Sequence, residues 1–144
     1  MRRTFLKALS GGLLASVLTP GISFAAEQVK VVYHLVDGLE QATRAMSNIR
    51  NHLRAEPDTR IVVVANNDGI RFLLAGARDR SGKPFDAAVT ALAAQGVEFR
   101  VCKNTLTAHD VPLSQLVPEA KLVQSGVVEV ARLQAKEGFA YLRP

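Results

Sequence analysis

The sequence predicts a single α/β domain, a three-layer α/β/α sandwich with about five mostly parallel strands. Short runs of β-branched residues alternate with longer segments whose apolar residues recur at helical spacing, which is typical of strand–helix units. After its first residue, the run Arg60–Ala65 is continuously apolar, as in a strand covered on both faces. The 48% hydrophobic content, with no Trp, indicates a globular core rather than a disordered chain.

The first strand–helix–strand unit has the clearest pattern. A β-branched run predicts a strand over Gln28–Val36, and apolar residues at helical spacing predict an amphipathic helix over Leu39–Ala55. Pro57 ends this helix, and the continuous apolar run then gives the second strand, Arg60–Ala65. This order and spacing predict a parallel crossover connection.

The rest of the chain continues the alternation with more interruptions. The polar turn Asn66–Gly69 is followed by a predicted short helix over Ile70–Ala77, a charged loop and an Ala-rich helix over Phe85–Gln95. A third strand then ends at Cys102. The remaining predicted elements are a broken segment Thr105–Leu116 with a turn or short helix at Val111–Leu116, a strand Lys121–Gln124, a helix Gly126–Lys136 and a last strand Gly138–Leu142.

Residues 1–25 have the pattern of a cleaved export signal. A basic start is followed by an apolar run to Leu18 and by small residues at positions 23 and 25. The string Arg2-Arg3-Thr-Phe-Leu-Lys resembles a twin-arginine signal, with ordinary secretory export as the alternative. Either route predicts that a domain of residues 26–144 works in the periplasm or outside the cell.

Charge and hydropathy argue against two classes of partner. The leader holds three of the 18 basic residues and none of the 13 acidic ones, so the net charge falls from +5 to +2 when it is removed. This gives little support for nucleic-acid binding. The apolar run of the leader is shorter than the ~20 residues of a membrane helix, so no membrane association is predicted after cleavage.

The histidines do not form a metal site at the level of sequence. His34, His52 and His109 are scattered, and no Cys or His pair has ligand spacing. No phosphate-binding loop and no serine nucleophile elbow is present, so neither a metal nor an organic cofactor is predicted. His109 follows the cysteine closely enough to be a candidate base or orienting group.

The chain has one cysteine, Cys102, at the predicted carboxyl end of the third strand, where α/β sheets keep their ligands. If a helical turn starts at residues 104–106, Asn104 and Thr105 become capping residues and the positive end of the turn faces the sulfur. Nearby Arg100 and Lys103 add positive charge, which favours the thiolate. Burial as a small apolar residue is the other interpretation, and residue types alone leave both open.

A resemblance favours the chemical role. The strand Val29–Leu35, the helix Ala42–Leu53, the strand Ile61–Ala65, the approach Gly96–Phe99 and above all Cys102-Lys-Asn-Thr-Leu resemble the DsrE/DsrF-like family of small sulfur-handling proteins. The last stretch is similar to the family's Cys-x-x-Thr/Ser-Leu/Met turn. The resemblance implies that Cys102 carries a persulfide sulfur, that donor and acceptor proteins exist, and that the chain forms a homo-oligomer.

Asn104 and Thr105 are expected as supporting cap residues beside Cys102, and Asn67-Asp68-Gly69 replaces a His-Gly turn of some relatives, so no role passes to that position. The expected function is a periplasmic sulfur carrier. The alternatives are a ligand-binding or oligomeric assembly module with a buried structural cysteine, and a redox sensor that forms an intermolecular disulfide.

Overall fold

A computed structural model describes residues 26–144, so the predicted leader lies outside the described part. Within this range the chain forms five strands, four α-helices and two short 3-10 helices. The strands are β1 (Lys30–Leu35), β2 (Arg60–Ala65), β3 (Glu98–Cys102), β4 (Ala120–Val123) and β5 (Ala140–Leu142). The helices are α1 (Leu39–Ala55), α2 (Phe85–Ala94), α3 (Lys103–Ala108) and α4 (Gly126–Glu137), with 3-10 helices at Asn67–Leu73 and Leu113–Gln115.

All five strands are parallel and lie in the order β4-β3-β2-β1-β5. The chain therefore moves stepwise from β1 to the β4 edge and then returns across the whole sheet to β5. Because this last connection runs in the opposite direction, α4 lies on the opposite face from α1 and α2. The α/β fold predicted from the sequence is confirmed.

The two faces of the sheet differ in size and polarity. On one face, α1, α2 and the first 3-10 helix bury a large core in which Phe72 contacts Phe99 edge to face, with ring centroids 6.1 Å apart. On the other face, α4 covers a smaller cluster with Val130 and Leu133 at its centre. This second face also holds Arg100 of β3, which binds Glu129 of α4 and Glu98 of its own strand.

The strongest sequence patterns give the element bounds closely. The predicted helix Leu39–Ala55 and strand Arg60–Ala65 are found with those bounds, and the first strand is shorter than predicted by two residues at its start and one at its end. The last strand begins at Ala140, because Gly138 adopts the left-handed conformation (φ 72°) that ends α4. In the broken segment, the first four residues belong to α3, and the short helix predicted at Val111–Leu116 is limited to Leu113–Gln115.

The predicted helix Ile70–Ala77 is wrong. The 3-10 helix starts earlier, at Asn67, and the chain is extended again from Leu74, which pairs with Leu116. Gly69 explains the early start, because a Cβ at this position would lie 2.0 Å from the Leu35 carbonyl oxygen. The turn can therefore pack directly on the end of β1, and it does so before a regular helix can begin.

Candidate functional site

The candidate site lies where the chain changes from one face of the sheet to the other. β3 is followed by α3, which packs Leu106 into the large core, whereas β4 is followed by α4 on the opposite face. The two helices diverge from neighbouring strand ends and leave a crevice between them. This is the place where open α/β sheets bind ligands.

Cys102 is the last residue of β3 and lines this crevice. The residue is only 5% exposed, and it borders a cleft of about 370 Å³. Polar side chains dominate the lining, and none of the cleft's described lining residues is acidic. The polar side chains that line it with Cys102 are those of Asn66, Asn67, Asn104, Thr105, His109 and Ser125. The sulfur is thus nearly enclosed but borders a polar space.

Burial raises the pKa of the Cys102 thiol, but hydrogen bonding to the thiolate outweighs it and brings the pKa below its ordinary value of 9.0. The stabilising donors are the Thr105 hydroxyl and the backbone N–H groups of Gly126, Thr105 and Asn104. In the thiol form, the S–H points to the Gln124 carbonyl oxygen, with Sγ and O 4.0 Å apart. Cys102 therefore ionises to the thiolate at a lower pH than a free cysteine does.

The prediction that Asn104 and Thr105 cap the helix is wrong in its register. α3 begins at Lys103, so Cys102 itself occupies the N-cap position and the two residues lie in the first turn. Their N–H groups are among those that a helix leaves unpaired at its start, which is why they can serve the sulfur. The structure therefore brings both predicted residues to Cys102. Asn104 acts through its backbone N–H, and Thr105 acts through its N–H and its hydroxyl.

Thr105 links the cysteine to the turn after β2. Its buried hydroxyl oxygen accepts a hydrogen bond from the Asn67 N–H at 3.1 Å, which leaves the hydroxyl hydrogen for the sulfur. Asn67 adopts a left-handed conformation (φ 50°), which Asn tolerates better than most residues. Asn104 faces outward and its Oδ1 accepts from the Gln124 side chain at 2.6 Å, which ties α3 to the end of β4.

Gly126 allows the start of α4 to approach the sulfur. A Cβ at this position would lie 3.0 Å from the Cβ of Asn66 and 3.3 Å from the Cβ of Cys102. Any side chain would therefore push the first turn of α4 away from β3. The missing side chain brings the Gly126 N–H close enough to stabilise the thiolate.

The positive charges expected beside the cysteine have other partners or positions. Arg100 is largely buried and its guanidinium binds Glu129 and, at 2.8 Å, Glu98. Its charge is therefore compensated two residues before the sulfur, while the Lys103 side chain is exposed. Hydrogen bonds rather than these cations lower the thiol pKa.

His109 lies at the end of α3 and lines the same cleft as Cys102. It is exposed, and no hydrogen bond between its ring and another described residue is present. The structure thus brings His109 to the cleft but gives no sign of a Cys–His couple. His52 is elsewhere, with its Nδ1 3.1 Å from the Tyr33 hydroxyl.

Asn66 and His34 were not among the predicted site residues. Asn66, which is 6% exposed, follows β2 and lines the cleft, and its Oδ1 lies 2.7 Å from Nε2 of His34 on β1. The position of Asn66 directly after a strand was a usable signal, because such residues lie at the ligand-binding edge. His34 gave none, since its partner is set by the order of strands.

In residues 26–144, no group of three His, Cys, Asp or Glu side chains is arranged to hold a metal ion. No helix in the same range has the length and apolarity needed to cross a membrane.

Comparison with known proteins agrees with this fold. The model of the DsrE/DsrF-like family matches residues 27–144. A protein of unknown function from Methanobacterium thermoautotrophicum, MTH1491, is 35% identical; the match covers 81% of this chain and 100% of that one, with a TM-score of 0.71. The ychN protein of E. coli is 16% identical and has the same fold, with a TM-score of 0.65 over 82% of this chain and 99% of its own. Curated proteins gave no match. The chain belongs to the DsrE/DsrF-like family, and this membership supports a sulfur-relay type of role at the level of the family.

Proposed function

We propose that the protein is a sulfur carrier that holds sulfane sulfur as a persulfide on Cys102. The observation that carries the proposal is the position of Cys102 on a polar cleft, where the Thr105 hydroxyl and the N–H groups at the starts of two helices lower the pKa of its thiol. A thiolate is the nucleophilic form of cysteine, so these donors prepare the sulfur for attack. Family membership supports the same type of chemistry.

The transfer step needs no outside oxidant. With thiosulfate as donor, the Cys102 thiolate attacks the outer sulfur, a new S–S bond forms, and the old S–S bond breaks as sulfite leaves with its electron pair. The product is the Cys102 persulfide anion. With a persulfide of a donor protein, the same attack releases the donor's thiolate, and an acceptor thiolate removes the sulfur from Cys102 in the same way.

Mass spectrometry of the purified chain tests this function. After exposure to thiosulfate or polysulfide and removal of the reagent, we expect a mass increase of sulfur on the peptide that contains Cys102, reversible by a thiol reductant. The Cys102→Ala variant provides the control. The absence of added sulfur on Cys102, or the same mass increase in Cys102→Ala, contradicts the proposal.

The low exposure of Cys102 favours one alternative, a ligand-binding or assembly module in which the cysteine only fills space. Titration of the folded protein with a small thiol reagent separates the two functions. A sulfur carrier reacts without denaturant, whereas a buried cysteine reacts only when the protein unfolds. A covalent dimer on a non-reducing gel indicates the redox-sensing alternative instead.

We further propose that the protein is exported before it acts and that it assembles as a homo-oligomer. The signal pattern of residues 1–25 supports export, and the family resemblance supports assembly. Replacement of Arg2 and Arg3 by Lys is expected to block appearance in the periplasmic fraction if the twin-arginine route is used. Native mass spectrometry of residues 26–144 measures the oligomeric state.

A further inference from the structure

A chain of hydrogen bonds leads from the β5 edge of the sheet to the cleft of Cys102. The Tyr141 hydroxyl lies 2.9 Å from Nδ1 of His34, whose ring it also contacts edge to face at 5.6 Å between centroids. Nε2 of His34 lies 2.7 Å from Oδ1 of Asn66. The backbone of Asn66 is fixed as well, because its N–H donates to the Leu35 carbonyl at 3.1 Å.

This chain sets the orientation of the Asn66 amide. A carboxamide oxygen can only accept, so Nε2 of His34 must carry a hydrogen and donate it. In the neutral ring, Nδ1 then accepts from the Tyr141 hydroxyl. With its oxygen held by His34, Asn66 turns its amide nitrogen the other way. That nitrogen makes no hydrogen bond to another described residue.

The unpaired amide belongs to a residue that is more than nine-tenths buried and lines the cleft with Cys102. Its backbone is packed against the site, as the 3.0 Å gap between the Asn66 Cβ and a Cβ built on Gly126 demonstrates. The Asn66 amide nitrogen is not one of the buried side-chain atoms that lack a partner, so it is open to the cleft, where a ligand can supply the acceptor. The described lining of the cleft has no carboxylate, so the Cys102 thiolate is the one acidic group that an anionic acceptor meets among these residues.

We propose that Asn66 binds the outer, anionic sulfur at this site, and that His34 and Tyr141 are positioning residues that aim its amide. The inference rests on the sulfur-carrier function. The outer sulfur bears the negative charge both in thiosulfate or polysulfide before attack and in the persulfide anion on Cys102 afterwards. A donor beyond the cysteine therefore serves both states, whereas Thr105 and the helix N–H groups serve the inner sulfur.

Three variants and two rates test the assignment. Asn66→Asp keeps the shape of the side chain but replaces the amide donor by a negatively charged acceptor. Tyr141→Phe removes only the hydroxyl that is hydrogen-bonded to His34, and Tyr141 is exposed, so the core is not disturbed. The chain offers a matched control, His52→Gln, which breaks the similar Tyr33–His52 hydrogen bond away from the cleft. The rates are those of sulfur loading, in separate arms with thiosulfate and with polysulfide, and of alkylation by neutral iodoacetamide.

We expect Asn66→Asp to slow sulfur loading by about tenfold or more in both arms, the effect of losing one charge-assisted hydrogen bond. Tyr141→Phe should slow loading several-fold while its alkylation rate, measured across pH, stays that of the wild type. A merely structural role of Tyr141 changes both rates together. His52→Gln should load at the wild-type rate.

Two outcomes overturn the assignment and remain distinguishable. If the wild type loads sulfur and both Asn66→Asp and Tyr141→Phe load at the same rate, Asn66 does not bind the outer sulfur, although the carrier function stands. If the wild type does not load in either arm, the carrier function fails and the assignment fails with it. Circular dichroism of each variant confirms that the fold is retained in the comparison.

Discussion

Four donor groups near the Cys102 sulfur lower the pKa of its thiol, and they are not equivalent. Three of them are backbone N–H groups, which substitution leaves in place, whereas the Thr105 hydroxyl belongs to a side chain. That hydroxyl is held by the Asn67 N–H at 3.1 Å, so it is oriented before any charge develops on the sulfur. At the scale of the residue, Thr105 is therefore the site at which thiol reactivity can be changed with the least disturbance of the backbone.

Thr105→Val removes this hydroxyl and keeps the shape of the side chain. A hydrogen bond to a charged group is worth about 1.5 kcal/mol at the low end, so we expect about a tenfold smaller thiolate fraction at neutral pH. The measurement is the pH dependence of Cys102 alkylation. Thr105→Ser, which retains a hydroxyl, should restore most of the rate, and Thr107→Val on the exposed side of α3 should have no effect. A wild-type rate in Thr105→Val contradicts the role.

The lowered thiol pKa also predicts how stability changes with pH. The unfolded chain keeps the Cys102 proton up to about its ordinary pKa of 9.0, whereas the folded chain loses it earlier. Folding is therefore favoured increasingly as the pH rises through this window. We expect the free energy of unfolding of the wild type, relative to Cys102→Ser, to increase between about pH 7 and pH 9.5. A constant difference in denaturant titrations at the two pH values contradicts the lowered pKa.

The residues of the site were unequally visible in the sequence. Cys102 is predictable, because it is the only thiol and ends an alternating run. Thr105 and Asn104 are predictable as neighbours of Cys102. Their positions in the helix are not, because Cys102 itself occupies the N-cap of α3 and both residues lie in its first turn. Asn66 and His34 meet only because β1 and β2 are adjacent in the sheet, and a single sequence does not give that adjacency.

At the scale of the element, the start of α4 is placed by the absence of a side chain. Gly126→Ala puts a Cβ 3.0 Å from the Asn66 Cβ, a backbone-proximal atom that cannot move aside easily. We expect a loss of about 1–2 kcal/mol in the free energy of unfolding and slower alkylation of Cys102 at neutral pH. Gly38→Ala is the matched control, since a Cβ there meets nothing within 4 Å at the start of α1. Equal stability and reactivity of the two variants contradict this role of Gly126.

The sequence predicts the elements that local apolar spacing determines, but not the one that a contact with a distant strand determines. α1 and β2 follow from local periodicity alone, because the apolar stripe and the continuous run hold over the whole element. The segment after Asn66 looks helical by its apolar spacing, yet the close contact of Gly69 with the Leu35 carbonyl decides its structure. That contact depends on a distant strand, so local spacing misplaced the helix.

At the scale of the whole molecule, the thinner side of the sandwich is fixed by charge as well as by apolar packing. Arg100 on β3 binds Glu98 and Glu129, and Glu129 on α4 is also bound by Arg132 at 2.8 Å. The Arg100 and Glu129 side chains are 13% and 12% exposed, so the pair is shielded from solvent. This network holds α4 against the sheet close to the cleft. In the sequence it is indicated by two charged residues, Glu98 and Arg100, at alternate positions of a buried strand.

Removal of Glu129 tests this tie through the acid side of the stability curve. Hydrogen bonds from Arg132 lower the pKa of the Glu129 carboxyl more than burial raises it, with Arg100 adding to the lowering. A carboxyl with a lowered folded pKa stabilises the fold above its unfolded pKa, and that stabilisation disappears as the pH falls through the folded value. Glu129→Gln should lower the free energy of unfolding by about 1–3 kcal/mol near neutral pH. The loss is no larger because Arg100 retains Glu98 as a partner.

The difference between the wild type and Glu129→Gln should then shrink as the pH falls from about 6 to about 3, since protonation removes the same interaction from the wild type. Urea titrations at several pH values measure it. Asp37→Asn is the control, because Asp37 pairs with Arg143 on the exposed surface, where ion pairs contribute within about 0.5 kcal/mol at any pH. A pH-independent difference for Glu129→Gln means that the carboxylate charge does not hold α4, and that the cleft owes its shape to apolar packing and Gly126 alone.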